Sequence, residues 1–174
     1  FLGGVEVTEK PYEHEAAVAT TASLMAGDTP AIFEAAFEFE NIRIRVDVLE
    51  RLEDGWGLRE VKSNKEVDAK KYHFDDAAVQ LYVLEGCGIK VSSVELIHTN
   101  HVYMRSEGEI DWQAMLVRAD IELQTRDLLC KVKETVPRLF SVLAESETPY
   151  IYADKTLCNN PYRCDYFDHC MSKK

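Results

Sequence analysis

Two carboxylates and a lysine stand close together in the sequence between Arg45 and Lys62. Asp47 interrupts an apolar run, and Glu60 and Lys62 follow as Glu-x-Lys. Two carboxylates can hold a hard divalent cation, and a lysine beside them can orient a water molecule or a phosphate. In a simpler interpretation, all three are exposed residues of an ordinary hairpin, with Glu60 and Lys62 in an ion pair on one face. The short motif leaves both interpretations open.

The residues around this motif have the pattern of a β-hairpin. Apolar and polar residues alternate from Ile42 to Leu52, which predicts a strand. Glu53-Asp54-Gly55 is typical of a tight turn, and residues 57–62 form the returning strand. Ala31–Glu40 predicts an earlier strand that pairs with the hairpin. Glu34 interrupts the apolar residues of that strand, and it either faces a site or lies at the strand edge.

Apolar residues at helical spacing predict one helix before these strands in the sequence and one after them. Thr8–Ala26 is the first. His14 falls on its apolar side, where it either serves a site or bonds to the backbone as a buried histidine. Phe74–Glu85 is the second. Gln80 and Tyr82 lie beside its packing stripe and can bond to a neighbouring loop or a substrate.

The C-terminal half predicts one more strand and a long helix. Val91–Arg105 has strand character with a long exit. Asp111 is expected to cap a helix that continues from Leu116 to about Glu145, with Cys130 in its buried stripe. Cys87, in the turn after the second helix, is expected to be a small buried residue.

Three of the five cysteines, Cys158, Cys164 and Cys170, lie in the last segment as C-x5-C-x5-C. Thiolates bind zinc or iron clusters, but three ligands are one short of a closed site. His169 is one candidate for the fourth ligand. A cysteine upstream of Phe1 is the better one, because adjacent residues rarely bind one metal together. The chain begins without methionine, and we expect native sequence upstream.

Composition limits the classes of function. The 174 residues carry a net charge of -11, which argues against a protein that binds nucleic acid by bulk electrostatics. A nuclease remains possible, because a bound metal changes the sign of its site. Lys65, Lys70 and Lys71 form the densest basic patch, either a contact for a phosphate backbone or a solvated loop. No apolar run could span a membrane and no signal peptide is apparent, so we expect a cytoplasmic protein.

Taken together, these segments resemble the PD-(D/E)XK nuclease superfamily, in its RecB-like branch. Asp47 followed by Glu60-Val61-Lys62 matches the motif that names the superfamily, and Gln80-Leu81-Tyr82 is similar to the glutamine motif of the branch. The C-terminal cysteines look like those of its iron–sulfur members. A bacterial group of the same layout has counterparts of TPAIFEAAF, RVDVLER, EVKS, HTNHVYMR and C-x2-PY-x-C-x5-C.

The resemblance implies a mixed α/β fold with a restriction-endonuclease-like core. Helices would flank a central mixed sheet in the order α-β-β-β-α-β, followed by a C-terminal helix and a cysteine-rich tail. Residues 1–150 would form the nuclease-like domain and residues 151–174 its tail. The implied activity is metal-dependent hydrolysis of DNA phosphodiester bonds, at single strands or ends.

The resemblance also implies roles for individual residues. Asp47, Glu60 and the carbonyl of Val61 would hold Mg²⁺ or Mn²⁺, and Lys62 would position and help deprotonate the attacking water. His14 stands roughly where RecB-like enzymes add a metal-binding histidine.

Further roles are implied for residues outside this motif. Glu34 is a further candidate metal ligand. Gln80 and Tyr82 would steady the active-site loop or the nucleic acid.

Two departures from the family bear on cofactor and partners. The family takes the first cysteine of its cluster from far upstream, and here no cysteine precedes Cys87. A [4Fe-4S] cluster or Zn²⁺ would therefore need a fourth ligand that is absent from this chain. The acidity suggests that DNA affinity needs the metal, a missing N-terminal segment or a protein partner.

Two alternatives remain. The chain could be a binding or scaffold module that keeps the fold without the chemistry. It could also be a structural metal-binding domain that depends on the cysteine tail alone.

Overall fold

A computed structural model describes residues 1–63, 67, 72–146, 156–160 and 163–172, except the side chain of Leu157. The chain divides into two compact units, Phe1–Lys133 and Glu134–Lys174. The predicted basic patch of Lys65, Lys70 and Lys71 lies outside the described residues.

The first unit contains a six-stranded mixed sheet whose strands lie in sequence order. The β1–β2 and β4–β5 pairs are parallel, and the other three pairs are antiparallel. Parallel neighbours need a crossover connection, and a helix lies between the strands of each parallel pair in the sequence. The strands are β1 (Val5–Glu6), β2 (Ala31–Phe39), β3 (Ile42–Leu52), β4 (Gly55–Lys62), β5 (Val91–Thr99) and β6 (Leu116–Asp120).

Six α-helices and two 3-10 helices accompany the sheet within the described residues. The α-helices are α1 (His14–Ala26), α2 (His73–Gly86), α3 (Trp112–Met115), α4 (Glu122–Asp127), α5 (Leu129–Leu143) and α6 (Phe167–Ser172). The 3-10 helices are Pro11–Glu13 and Leu157–Asn159. The second unit contains the end of α5, the second 3-10 helix and α6.

The predicted α-β-β-β-α-β order is confirmed as α1-β2-β3-β4-α2-β5, with β1 and β6 added at the sheet edges. The core forms where α1 and α2 meet the sheet. Ala17 of α1 and Ala77 of α2 are fully buried, and such small residues let a helix approach a sheet closely. Large apolar side chains fill the rest: Ile32, Leu49, Leu58, Leu81, Leu84 and Leu96.

A charged network crosses four adjacent strands of this sheet. Arg59 of β4 is only 2% exposed, and its Nε lies 2.8 Å from Glu50 of β3 and 3.2 Å from Glu95 of β5. Arg118 of β6 bonds to the same two carboxylates, at 2.7 Å and 2.6 Å. Each buried charge therefore has opposite charges as partners, which offsets the cost of removing it from water.

The predicted helix from Asp111 to about Glu145 is wrong in its first third. Asp111 does cap a helix, because its side chain accepts hydrogen bonds from the N–H groups of Gln113 and Ala114, but this helix ends at Met115. The next five residues form β6, antiparallel to β5. Pairing with the open edge of β5 outweighs the local helical pattern.

Two predicted cysteine environments are also wrong, because Cys87 and Cys130 are exposed. The helix is interrupted at Leu128, between α4 and α5. The apolar residues of the two helices therefore do not continue along one face. Val132 is buried on α5, and Cys130 lies two residues earlier, about 200° round the helix. Cys87 follows the end of α2, where its thiol lies 3.4 Å from the carbonyl oxygen of Glu38.

The first helix begins later than predicted. Thr8–Lys10 is not helical, and the helical segment starts with Pro11 in the 3-10 helix. Proline is favoured at the first helical position, since it has no N–H to satisfy there. The Glu13 carboxylate accepts a hydrogen bond from the Lys10 N–H at 2.9 Å, which closes the start of the helix.

Among the described residues, none of the helices has the length and apolar character needed to cross a membrane.

Candidate functional site

The candidate site lies where β3 and β4 part. Their antiparallel pairing runs in constant register from Leu52 opposite Gly55 to Val48 opposite Arg59. The next pair would set Asp47 opposite Glu60, but the pairing ends there. Instead, the Asp47 carboxylate accepts a hydrogen bond from the Val61 N–H at 2.7 Å. A side chain thus takes the place of a strand partner and brings Asp47 beside β4.

Glu60 is the centre of this site and is 4% exposed. Its Oε1 lies 2.5 Å from the Lys62 Nζ, and its Oε2 accepts a hydrogen bond from the Gln80 Nε2 at 2.6 Å. The Lys62 Nζ also lies 2.7 Å from Asp76. We call Asp47, Glu60, Lys62, Asp76 and Gln80 the carboxylate cluster.

The periods of strand and helix explain why these residues meet. Glu60 and Lys62 are two apart on β4 and therefore point to the same face. Asp76 and Gln80 are four apart on α2, one above the other on one side of the helix. Leu81, buried beside them, packs in the core that α2 shares with the sheet, and this packing presents Asp76 and Gln80 to β4.

The electrostatics of the cluster are unbalanced. Burial raises the pKa of Glu60, and the charges of Asp47 and Asp76 raise it further, although hydrogen bonds from Lys62 and Gln80 oppose the shift. Burial would lower the pKa of Lys62, but hydrogen bonds to Asp76 and Glu60 outweigh it and raise that pKa well above its usual range. Lys62 therefore stays protonated at neutral pH. Lys62 is the one ammonium of the cluster and pairs with Glu60 and Asp76, while Asp47 adds a further carboxylate, and this excess of acidic groups makes the cluster attractive to a cation.

The donor chemistry of the cluster fits a hard divalent cation. Asp47, Glu60 and the carbonyl of Val61 offer oxygens of the kind that Mg²⁺ and Mn²⁺ prefer. Gln80 is 6% exposed, and its Oε1 has no hydrogen-bond partner among the described residues. A buried acceptor needs a donor, and a water molecule can supply one. No group of three or more His, Cys, Asp or Glu side chains is arranged to hold a metal in the part of the chain that the structure describes.

No family model, curated protein or solved structure matches this chain. The resemblance to RecB-like nucleases therefore depends on the motifs and their order in this sequence. The mixed α/β sheet flanked by helices is observed, and the restriction-endonuclease-like fold stays a prediction.

His14 and Glu34 lie in a groove of about 610 Å³ that Asp47, Glu60 and Lys62 do not line. His14 is buried, with its Nε2 at 3.2 Å from the carbonyl oxygen of Phe37, as a histidine bonded to the backbone would be. Glu34 is exposed and has a φ of +56°, between residue pairs of the β2–β3 ladder. The metal-binding roles implied for His14 and Glu34 stay predictions.

Tyr82 points to different partners than Gln80 does. Its hydroxyl donates a hydrogen bond to Glu40 at 2.5 Å, and its ring packs edge-on against Phe39 at 5.6 Å. The hydrogen bond to Glu40 is the main reason that the pKa of Tyr82 is raised. Tyr82 lies two positions after Gln80 on the helix, a rotation of about 200°. The structure therefore brings Gln80, and not Tyr82, into contact with Glu60.

The three tail cysteines lie in the second unit and are all free thiols. Cys158 and Cys170 are partly exposed, and Cys164 is exposed. The backbone N–H of Cys164 donates to the carbonyl of Cys158 at 2.7 Å, so the two are neighbours. They belong to the described residues, in which no three-ligand group is found. The [4Fe-4S] cluster or Zn²⁺ expected on the tail cysteines stays a prediction.

Asp76 is the member of the carboxylate cluster that sequence reasoning missed. It stands in the first turn of α2, where acidic residues are common because they favour the positive end of the helix dipole. The signal that could have revealed it is its spacing, because it precedes Gln80 by one helical turn.

Proposed function

We propose that the chain is a metal-dependent nuclease that hydrolyses DNA phosphodiester bonds, with the carboxylate cluster as its active site. The observation that carries the proposal is the contact of Asp47 with β4 at the position where Glu60 and Lys62 face α2. Two carboxylates and a protonated lysine in one compact cluster suit the hydrolysis of a charged ester.

Each side chain has a role in this proposal. Asp47 and Glu60 would hold Mg²⁺ or Mn²⁺ together with the carbonyl of Val61. When bound, the cation would offset charge on the phosphate and lower the pKa of a bound water. Lys62 would orient the attacking water or a phosphate oxygen, acting as a hydrogen-bond donor since it carries its proton. Gln80 fixes one oxygen of Glu60 and offers its free Oε1 to a water.

The substrate and the metal group on the tail cysteines are also part of the proposal, and both depend on the resemblance. DNA would bind as single strands or ends, and the net charge of -11 makes a cation or a protein partner necessary for affinity. A [4Fe-4S] cluster or Zn²⁺ on the tail cysteines would need a fourth ligand. We also propose a cytoplasmic location.

The test is cleavage of labelled single- and double-stranded DNA with Mg²⁺ or Mn²⁺ by the wild type and by Lys62→Met. Lys131→Met is the matched control, because Lys131 also pairs with an aspartate of the first turn of α2, Asp75, at 2.8 Å. We expect a loss of about 100-fold or more for Lys62→Met, typical of removing one donor to the transition state. The control should cut at the wild-type rate.

Equal cleavage by the two variants, with both folded, would contradict the assignment of Lys62. Circular dichroism and urea unfolding establish that both are folded. Cleavage by the wild type that is indifferent to chelation would contradict the metal-dependent mechanism.

A scaffold without chemistry is the second candidate. The observation that favours it is that the charged atoms of the cluster already satisfy one another, with Lys62 held between two carboxylates and Asp47 on a backbone N–H. In that case the wild type should neither bind Mg²⁺ in calorimetry nor cut DNA.

A further inference from the structure

The Lys62 ammonium is shared between two elements. It lies 2.5 Å from Glu60 on its own strand and 2.7 Å from Asp76 on α2. A lysine side chain is a flexible stem with a compact charge at its end, so a single partner fixes its position poorly. Two carboxylates on different elements fix the ammonium much better than one.

Glu60 and Asp76, the two partners of Lys62, would have different roles in the proposed chemistry. Glu60 is a proposed ligand of the cation, and an oxygen that turns to a cation binds the ammonium less well. Asp76 is about half exposed, and among the described residues its carboxylate bonds only to Lys62. It would therefore stay with Lys62 when Glu60 does not.

Helix α2 is well suited to hold this second anchor. Ala77, next to Asp76, is fully buried in the core, and the Asp76 N–H donates to the Tyr72 carbonyl at 2.9 Å. One turn further along, Gln80 holds Glu60. A single helix thus fixes both members of the Glu60–Lys62 pair.

We propose that Asp76 is a positioning residue that keeps the Lys62 ammonium in the carboxylate cluster when Glu60 binds a cation. The inference rests on the proposed function. Asp76 acts through Lys62 and touches neither cation nor substrate. Without it, the Lys62 side chain would extend into solvent once the cation is bound.

Asp75 supplies a closely matched control. It neighbours Asp76 in the first turn of α2 and accepts a hydrogen bond from Lys131 at 2.8 Å. Asp76→Asn and Asp75→Asn therefore remove the same charge from the same helix turn, and each removes the partner of one lysine. Effects through net charge or the helix dipole are common to both variants.

The experiment measures how fast acetic anhydride acetylates each lysine at fixed pH, by mass spectrometry, with and without saturating Mg²⁺. In Mg²⁺ we expect Asp76→Asn to raise the labelling of Lys62 about tenfold or more, the effect of losing one charge-assisted hydrogen bond. Lys131 should be unchanged in this variant. In Asp75→Asn the labelling of Lys62 should be unchanged and that of Lys131 should rise by a smaller factor, because the Lys131–Asp75 pair is exposed to solvent. Asp76→Glu should restore slow labelling of Lys62.

Calorimetric titration with Mg²⁺ separates this inference from the proposed function. If the wild type binds no Mg²⁺, the proposed function fails and the inference fails with it. If Mg²⁺ binds and Lys62 is labelled equally in the two asparagine variants, the inference alone is overturned. Loss of Mg²⁺ binding in Asp76→Asn would also overturn it, because Asp76 would then be a ligand. In DNA cleavage, we expect Asp76→Asn to lower kcat with little change in KM.

Discussion

Without Mg²⁺, the Glu60→Gln variant should be at least as stable to heat as the wild type. With Mg²⁺, the wild type should be the more stable of the two. The pKa of Glu60 is raised in the folded protein. The contribution of Glu60 to the free energy of unfolding is therefore complete below pH 4.5, its ordinary pKa, and is lost as the pH rises through the pKa of the folded state. Ionisation of the Glu60 side chain therefore lowers the stability of the metal-free fold. Glutamine has the same shape and can keep the hydrogen bond with Gln80, while Lys62 keeps Asp76.

The expected sizes follow from general energetics. Without a cation, Glu60→Gln should unfold at the wild-type temperature or a few degrees higher, because the raised pKa of Glu60 means that the folded protein favours the neutral form of this side chain. Mg²⁺ at about 100 times its Kd adds about 2.7 kcal/mol to the wild type. In a protein of this size, each kcal/mol shifts the midpoint by about 2–4 °C, so the wild type should gain about 5–11 °C. The variant should gain little.

The assay is differential scanning calorimetry at pH 7 in chelator and in rising Mg²⁺. Glu85→Gln is the control, because Glu85 lies on α2 and pairs with Arg126 away from the cluster. It should follow the wild type. An equal gain for Glu60→Gln and the wild type would refute the role of Glu60 as a ligand. No gain in the wild type would refute the cation site itself.

Two further predictions concern the charged network of the sheet. Burial would raise the pKa of Glu50, but hydrogen bonds from Arg118 and Arg59 outweigh burial and lower the pKa. The stability that Glu50 contributes to the folded protein is therefore present above pH 4.5, its ordinary pKa, and is lost as the pH falls. Glu50→Gln should cost about 3 kcal/mol of unfolding free energy at pH 7 and less at pH 3, measured by urea titration; an equal loss at both would contradict the linkage. In Gly57→Ala the new Cβ would lie 2.2 Å from the Arg59 guanidinium, so we expect a loss of about 1–3 kcal/mol, with the open Gly27→Ala as a nearly neutral control.

The sheet could be predicted where its pattern is local. The alternation in β3 and the turn at Gly55 fix a hairpin by themselves, and the observed strands have the predicted bounds within about two residues. By contrast, Leu116–Asp120 is too short for its pattern to separate strand from helix. It becomes a strand because β5 offers it an open edge, which no local pattern records.

The site could be predicted in part for the same reason. Glu60 and Lys62 lie on one face of β4 by strand period, and the turn at Gly55 returns β4 along β3, so that Asp47 can bond to Val61 between them. His14 and Glu34 depended on how a helix and an irregular strand position face the sheet, and the structure places them in a groove that the motif residues do not line. Asp76 was missed because its partner is 14 residues away and on another element.

The charged network has a consequence for the site that follows from strand alternation. Arg59 and Glu60 are neighbours on β4, so they point to opposite faces of the sheet. A slip of one residue would turn Arg59 into the packed side and away from Glu50 and Glu95, a cost that excludes the slipped pairing. The same slip would move Glu60 away from Asp47. The ion pairs on one face of β4 therefore help to fix the register that positions the carboxylate cluster on the other face, and mutations of these ion pairs can displace the cluster without contacting it.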